Sequence, residues 1–158
     1  MGVGYALIGG HAVNVWLEPR FTADVDLTIE ADVDRIELLE QALRTAGFAL
    51  ERSQGDAPSG PDFLSFRSTT GPMVLELQVA KTAFQREVIR RATPRSEGLR
   101  VATSEDLIVP KLIANRARDQ LDLLGLCALP SIDWSYVERW ARQWDRTDEL
   151  QRIRSQVR

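Results

Sequence analysis

Asp24 and Asp26 flank a single valine and open the run Asp24-Val25-Asp26-Leu27-Thr28-Ile29. Successive side chains on a strand alternate faces, so the two carboxylates share one face, about 6–7 Å apart along the chain. Val25, Leu27 and Ile29 share the other face, which must be buried. Carboxylates held this close repel each other and call for a cation between them. Mg2+ suits them, because it takes hard oxygen ligands and commonly bridges carboxylates to substrate phosphates. Upstream, the apolar run Tyr5-Ala6-Leu7-Ile8 reads as a first strand ending at Gly9-Gly10, and a short helix is expected over residues 11–17.

The downstream chain alternates between helix and strand signals. Asp32 reads as an N-cap for a helix over residues 33–46, with Ile36, Leu39, Leu43 and Ala46 as its buried stripe and Gly47 as its stop. Residues 48–52 read as a strand, and residues 53–62, rich in Gly, Pro, Ser and Asp, as an exposed loop. Residues 63–68 and 73–79 read as an antiparallel hairpin. On its second strand Glu76 and Gln78 share a face between Leu75 and Leu77, where an unpaired carboxylate would be costly. A helix over residues 82–91 and a short strand over 99–102 follow. A long helix then opens with Ser104 as its expected N-cap and acids in its first turn, and Pro110 is expected to kink or restart it. At 100° per residue, Lys111, Asn115, Arg118 and Asp122 form a polar ridge with Asp119 beside it, while Leu112, Ile113, Leu121, Leu123 and Leu124 cover the rest. Asp133 caps a helix over 134–144, and residues 145–158 read as a polar, peripheral helix.

A chain of 158 residues with 44% hydrophobic and 27% charged residues can bury a real core. No apolar run approaches the length of a membrane span, and no signal-peptide pattern opens the chain. The one cysteine, Cys127, cannot form an internal disulfide, in keeping with a reducing, cytoplasmic setting. A net charge of −3 argues against coating nucleic acid through bulk charge. Its distribution says more: Lys81, Arg86, Arg90, Arg91, Arg95 and Arg100 face only Glu87 and Glu97 over one stretch. A basic rim beside an acidic metal site suits a phosphate-bearing substrate, and the same charges also suit solvated helix faces. His11, the only histidine, has no other histidine or nearby cysteine with which to bind metal.

The order of hydrophobic residue, Gly9-Gly10, gap, then Asp24-x-Asp26 resembles the signature of the DNA polymerase beta-type nucleotidyltransferase superfamily. More narrowly, Arg20-x-Thr22-x-Asp24-x-Asp26 resembles the AbiEii/AbiGii toxin-like nucleotidyltransferases, and so does Lys111-x-x-Ala114-x-Arg116-x-Arg118-Asp119-x-x-Asp122. The resemblance covers roughly residues 4–124. It implies an α/β (α+β) nucleotidyltransferase fold: a small, mixed, twisted sheet with helices around it. The catalytic core would span residues 1–102, and a C-terminal helical part over 103–158 would pack on it as one wall of the cleft. It also implies NMP transfer from an NTP to an acceptor hydroxyl. Asp24, Asp26 and Glu76 would be the catalytic, metal-holding carboxylates for Mg2+ or Mn2+. Gly9, Gly10, Arg20, Thr22 and Lys111 would bind the nucleotide, and Arg116, Asp119 and Asp122 would brace the site. Glu76 is one methylene longer than the family's usual aspartate, and the family would be expected to place a helix before the first strand, where this sequence opens almost directly on the strand.

The acceptor implied by the resemblance is a tRNA or other RNA end, a protein hydroxyl or a small molecule, and a toxin–antitoxin partner is expected. Two further readings stand beside this one. A small-molecule, antibiotic-type nucleotidyltransferase would be expected to carry histidine before the Asp-x-Asp, where this chain has Ala23. A non-catalytic, antitoxin-like member would keep the fold and bind a partner protein.

Overall fold

The computed structural model describes residues 2–55, 59–95 and 98–157. Residues 56–58 of the expected loop, and Glu97 of the basic stretch, lie outside the described residues. Contacts divide the chain into two units. The first comprises residues 1–11 and 20–102, the second residues 12–19 and 103–158.

The first unit is built on one mixed sheet. Its strands are β1 (Gly4–Ile8), β2 (Asp24–Glu30), β3 (Phe48–Gln54), β4 (Phe63–Ser68), β5 (Val74–Val79), β6 (Thr93–Pro94) and β7 (Arg100–Val101). Their order across the sheet is β3-β4-β5-β2-β1-β7-β6. Strands β2 and β5 run parallel, as do β1 and β7, and the other neighbours are antiparallel. The alternation read in the sequence separates the two faces. Ile29, Leu64, Phe66, Leu77 and Val79 bury one face with Ile36 of helix α2 (Val33–Thr45), and Leu39 and Leu43 pack against that cluster. Asp32 caps α2 by accepting from the Arg35 amide at 2.9 Å. Gly47 beyond its end has φ +86, the left-handed conformation a helix stop favours.

The opposite face carries Asp24, Asp26 and, in direct register with Asp26, Glu76. Helix α3 (Ala83–Arg91) buries Phe84, Val88 and Ile89, and a capping box between Thr82 and Gln85 starts it. A Cβ placed on Gly4 would lie 3.3 Å from Ile89, so α3 packs close on β1 at the end remote from the carboxylates. Of the basic stretch, Arg100 is structural: it donates to the Ile89 and Ala92 carbonyls at 3.2 and 2.8 Å and closes the end of α3.

The second unit is helical: α4 (Ser104–Ala114), α5 (Ala117–Cys127), α6 (Trp134–Gln143) and α7 (Thr147–Gln156). Helix α4 packs on α5 and α6, and α7 on α5 and α6. Helix α1 (Gly9–Trp16) is divided, its first residues counting with the sheet and the rest with this unit. Leu17 explains the second part: a Cβ on Gly125 of α5 would lie 2.6 Å from its Cδ1, a contact only glycine allows.

Several local expectations are corrected here. Helix α1 begins at Gly9 rather than at His11, and β3 runs on to Gln54. Thr103, not Ser104, caps α4, accepting from the Asp106 amide, and Ser104 is buried in the first turn. Pro110 neither kinks the chain into a new helix nor restarts one; α4 continues through it. Burial of Ile108, Val109 and Leu112 around it opposes a local cost of about 3 kcal/mol for interior proline. The break comes at Asn115, whose φ of 48 is left-handed and ends α4, followed by extended Arg116. Helix α7 is less peripheral than its polar composition suggests, because Leu150 and Ile153 are fully buried.

Cys127, at the end of α5, is buried, and burial pushes its thiol up to about 11, with Arg154 pulling slightly the other way. The folded protein therefore prefers the neutral thiol relative to the unfolded chain. That preference contributes fully below the ordinary thiol pKa and is lost as pH rises from 9.0 to about 11. Urea melts between pH 8 and 11 should show stability falling across that window, and Cys127→Ala should flatten the slope. An identical slope in the variant would assign the alkaline loss to other groups.

Candidate active site

Strand register assembles the acidic face from β2 and β5. Parallel pairing sets Asp26 opposite Glu76 and Asp24 opposite Val74, so the three carboxylates lie on one side of two adjacent strands. Asp24, Asp26 and Glu76 are each half-buried. The partner of Asp26 on the other side is Ile8, the last residue of β1. The chain turns immediately after it into α1, and the turn is built on the two glycines. Gly9 has φ +65, and a Cβ there would fall 1.9 Å from Asp26 Oδ2. The Asp26 carboxylate therefore lies against the backbone that opens α1, where amides and the helix dipole favour negative charge. A Cβ on Gly10 would fall 2.5 Å from Thr22 Oγ1, so the Thr22 hydroxyl packs on the same turn. Each glycine is required by a specific neighbour from the Arg20–Asp26 segment.

Arg20 is half-buried, and its Nη1 donates to the Phe21 carbonyl at 3.4 Å. Phe21 itself is 86% exposed. His11 lies in the first turns of α1 and is half-buried.

Residues from β3 and β4, which no motif marks, lie on the same face. In register with Val74 and Glu76 are Arg67 and Ser65 of β4. A bulge in β3 between Leu50 and Arg52 then sets Arg52 opposite Ser65. Arg52 Nη2 stands 3.9 Å from Glu76 Oε1, and its guanidinium lies 5.1 Å from the centre of the Phe63 ring. Glu51 accepts from Arg67 Nε at 2.5 Å. That bond, above all, raises the Arg67 pKa, with Coulomb attraction to Glu51 next and Asp24 adding a smaller contribution. Nothing in the composition of residues 48–54 signals the bulge, and a regular strand would have sent Arg52 to the other face.

Among the described residues, no three His, Cys, Asp or Glu side chains stand close enough together to enclose a metal ion. The donor chemistry nonetheless fits a hard divalent ion. Such an ion typically takes only one or two protein carboxylates and fills its remaining positions with water and substrate phosphate. Asp24 and Asp26, i and i+2 on one strand face, are such a pair, while Glu76 is turned toward Arg52.

The second motif region lies in the helical unit. Lys111 on α4 is buried, with Nζ 2.6 Å from Asp122 Oδ2 and 3.2 Å from Asp119 Oδ1, both on α5. Asp119 also accepts from the Arg116 amide at 3.2 Å, closing the first turn of α5. Lys111, Asp119 and Asp122 thus meet across the break at Asn115 rather than along one helical ridge, and the single-helix stripe is corrected accordingly. The Arg116 and Arg118 residues are exposed.

Comparison with solved structures finds the same fold at low identity. A candidate nucleotidyltransferase from H. pylori is 18% identical, with a TM-score of 0.53 over 98% of this chain and 76% of that one. The antibiotic-resistance factor ANT(2'')-Ia is 17% identical, with a TM-score of 0.50 over 98% of this chain and 81% of that one. A crystal structure of the same enzyme with adenylyl-2''-tobramycin matches at 15% identity and a TM-score of 0.50, covering 98% and 87% of the two chains. Comparison with curated protein sequences gives no match. A family model described as "Nucleotidyl transferase AbiEii toxin, Type IV TA system" matches residues 3–133, which include the glycine turn, both aspartates, Glu76 and the Lys111–Asp122 region. The chain therefore belongs to the AbiEii family of nucleotidyltransferase toxins.

Proposed function

We propose that this nucleotidyltransferase moves an NMP from an NTP to the hydroxyl of an RNA end, in a metal-dependent reaction, as the toxin of a toxin–antitoxin pair. The observation that carries the site is the Asp26 carboxylate packed on Gly9, in register with Glu76 and on the same face as Asp24. Asp26 and Thr22 pack over Gly9 and Gly10, and the triphosphate would be received beside them by the backbone amides at the start of α1. The Thr22 hydroxyl and the Arg20 guanidinium, on the segment packed over those glycines, are the side-chain donors for phosphate oxygens.

Asp24 and Asp26 would hold Mg2+ or Mn2+, with Glu76 joining them once it leaves Arg52. Such ions, when bound, polarise phosphoryl oxygens and ease deprotonation of a hydroxyl. The acceptor oxygen forms its bond to the α-phosphorus while the bond to the bridging oxygen of the β-phosphate breaks. Pyrophosphate leaves, and the acceptor proton passes to a carboxylate of this trio or to water. Preorganised charge, rather than covalent chemistry by the protein, supplies the rate. Among the described residues, no helix is long and apolar enough to cross a membrane. The substrates proposed are those of the cytoplasm, where a cognate antitoxin would also meet the protein.

Incubation with each α-32P-labelled NTP, Mg2+ and total cellular RNA and protein tests the reading. Label is expected on RNA, and EDTA should abolish it. Label on protein or on an added antibiotic instead would replace the acceptor proposed here, and NTP binding without any transfer would overturn the catalytic assignment.

A further inference from the structure

We infer that Arg52, carried onto the acidic face by the β3 bulge, is a phosphate ligand for the acceptor and makes the site selective for an anionic acceptor strand. This rests on the transferase reading of Asp24, Asp26 and Glu76. Phe48 and Leu50 pack against the apolar cluster under the sheet. In an uninterrupted strand Arg52, two residues beyond Leu50, would point into that same apolar layer. The register shift between Leu50 and Arg52 adds one residue and turns Arg52 to the other face, opposite Ser65 and in line with Glu76 and Asp26. Bulges of this kind re-aim side chains and concentrate beside active sites.

The position of Arg52 along the sheet then assigns its substrate. Crossing the sheet, the acidic face runs from the glycine turn after β1, through Asp24 and Asp26 on β2 and Glu76 on β5, to Arg67 on β4 and Arg52 on β3. Strands lie about 4.8 Å apart, so Arg67 and Arg52, three and four strands from β1, stand roughly 14 and 19 Å beyond the glycine turn. In an in-line displacement the attacking and leaving oxygens lie on opposite sides of the phosphorus. With the triphosphate on the glycine side, the leaving pyrophosphate departs that way and the acceptor approaches from β5, β4 and β3. That approach carries two guanidiniums, of which Arg67 is already bonded to Glu51 at 2.5 Å. Arg52 is 53% exposed and only loosely engaged with Glu76 at 3.9 Å, beyond hydrogen-bond range. Its guanidinium stacks near Phe63, which fixes its direction without occupying its N–H groups. A polycationic aminoglycoside would meet repulsion here; an RNA phosphate would meet a preoriented fork.

The test uses the full chain and a fluorescein-labelled, single-stranded RNA of mixed sequence with a free 3′ hydroxyl. Binding is read by anisotropy over a salt series with Mg2+ present. Arg52→Gln should weaken binding about fivefold and lower the slope of log affinity against log salt by about 0.7. Arg52→Lys should recover most of the affinity, and NTP binding and Tm should be those of wild type. Arg44→Gln, on α2, should change nothing. A wild-type chain that fails to bind RNA, an Arg52→Gln variant that binds like wild type, or an equal loss of NTP affinity would each overturn the inference. Arg52-dependent RNA binding combined with no NMP transfer would instead sink the transferase assignment and leave Arg52 as an RNA ligand.

Discussion

Asp24→Asn/Asp26→Asn is expected to reduce NMP transfer by on the order of 10³-fold or more while leaving the melting temperature no lower than that of wild type. The two halves of this result have separate causes. Transfer falls because the paired carboxylates are the negative charge around which the reacting phosphate is neutralised, and several kcal/mol of charge stabilisation goes with them. Stability holds because asparagine keeps the volume of aspartate. Asp26 is fitted against the Gly9 backbone so closely that a Cβ there would fall 1.9 Å from its Oδ2, so a volume-conserving change is essential. Removing two like charges from one strand face also relieves repulsion, a stabilisation typical of sites whose function opposes their stability. Labelled-NTP transfer and thermal denaturation on the same samples check both halves. Retained transfer would remove Asp24 and Asp26 from the chemistry, and a sharp drop in melting temperature would recast them as structural residues.

What the sequence could disclose divides along physical lines. The period-2 alternation from Asp24 to Ile29 and from Val74 to Val79 is enforced by burial of one face, so each segment reads directly as a strand, while their parallel pairing with each other is not legible from it. Gly9 and Gly10 were legible because the demand for glycine is local: one has φ +65, and both meet a side chain where Cβ would sit. The helix caps at Asp32 and Asp133 were legible for the same reason, each serving an amide three residues on. The failures are cases where one position resets the period. At Asn115, a left-handed φ of 48 ends α4 and breaks the helical count between Lys111 and Asp119. In β3, a single added residue reverses the faces after Leu50, so Arg52 reaches Glu76 although its sequence parity sends it elsewhere. The bulge has no signature in the composition of residues 48–54, whereas Asn115 did carry one, because asparagine, after glycine, most readily takes the left-handed conformation that ends a helix.

Lys111→Met is expected to destabilise the protein by about 3–5 kcal/mol, a large share of the 5–15 kcal/mol that typically separates folded from unfolded chains. Lys111 Nζ is the cation between Asp122 at 2.6 Å and Asp119 at 3.2 Å, and its side chain is only 10% exposed. Methionine fills the space of the lysine stem but leaves two carboxylates close together in a poorly solvated interior, with Asp122 itself 4% exposed. The penalty lies in the negative charge that Lys111 no longer neutralises, so replacing the carboxylates should recover stability: Lys111→Met/Asp119→Asn/Asp122→Leu should regain most of the loss. The same variants separate bracing from phosphate binding, the role that the family resemblance implies for this lysine. If Lys111 serves only to join α4 to α5, the triple variant binds NTP with wild-type affinity once its fold is restored. If it also contacts the triphosphate, NTP affinity stays low although the melting temperature has recovered. Denaturant melts and calorimetric titration with ATP and GTP measure the two quantities independently. A Lys111→Met chain as stable as wild type would show that the Asp119–Asp122 pair sheds its charge or finds water, and would remove the brace from the account of this fold.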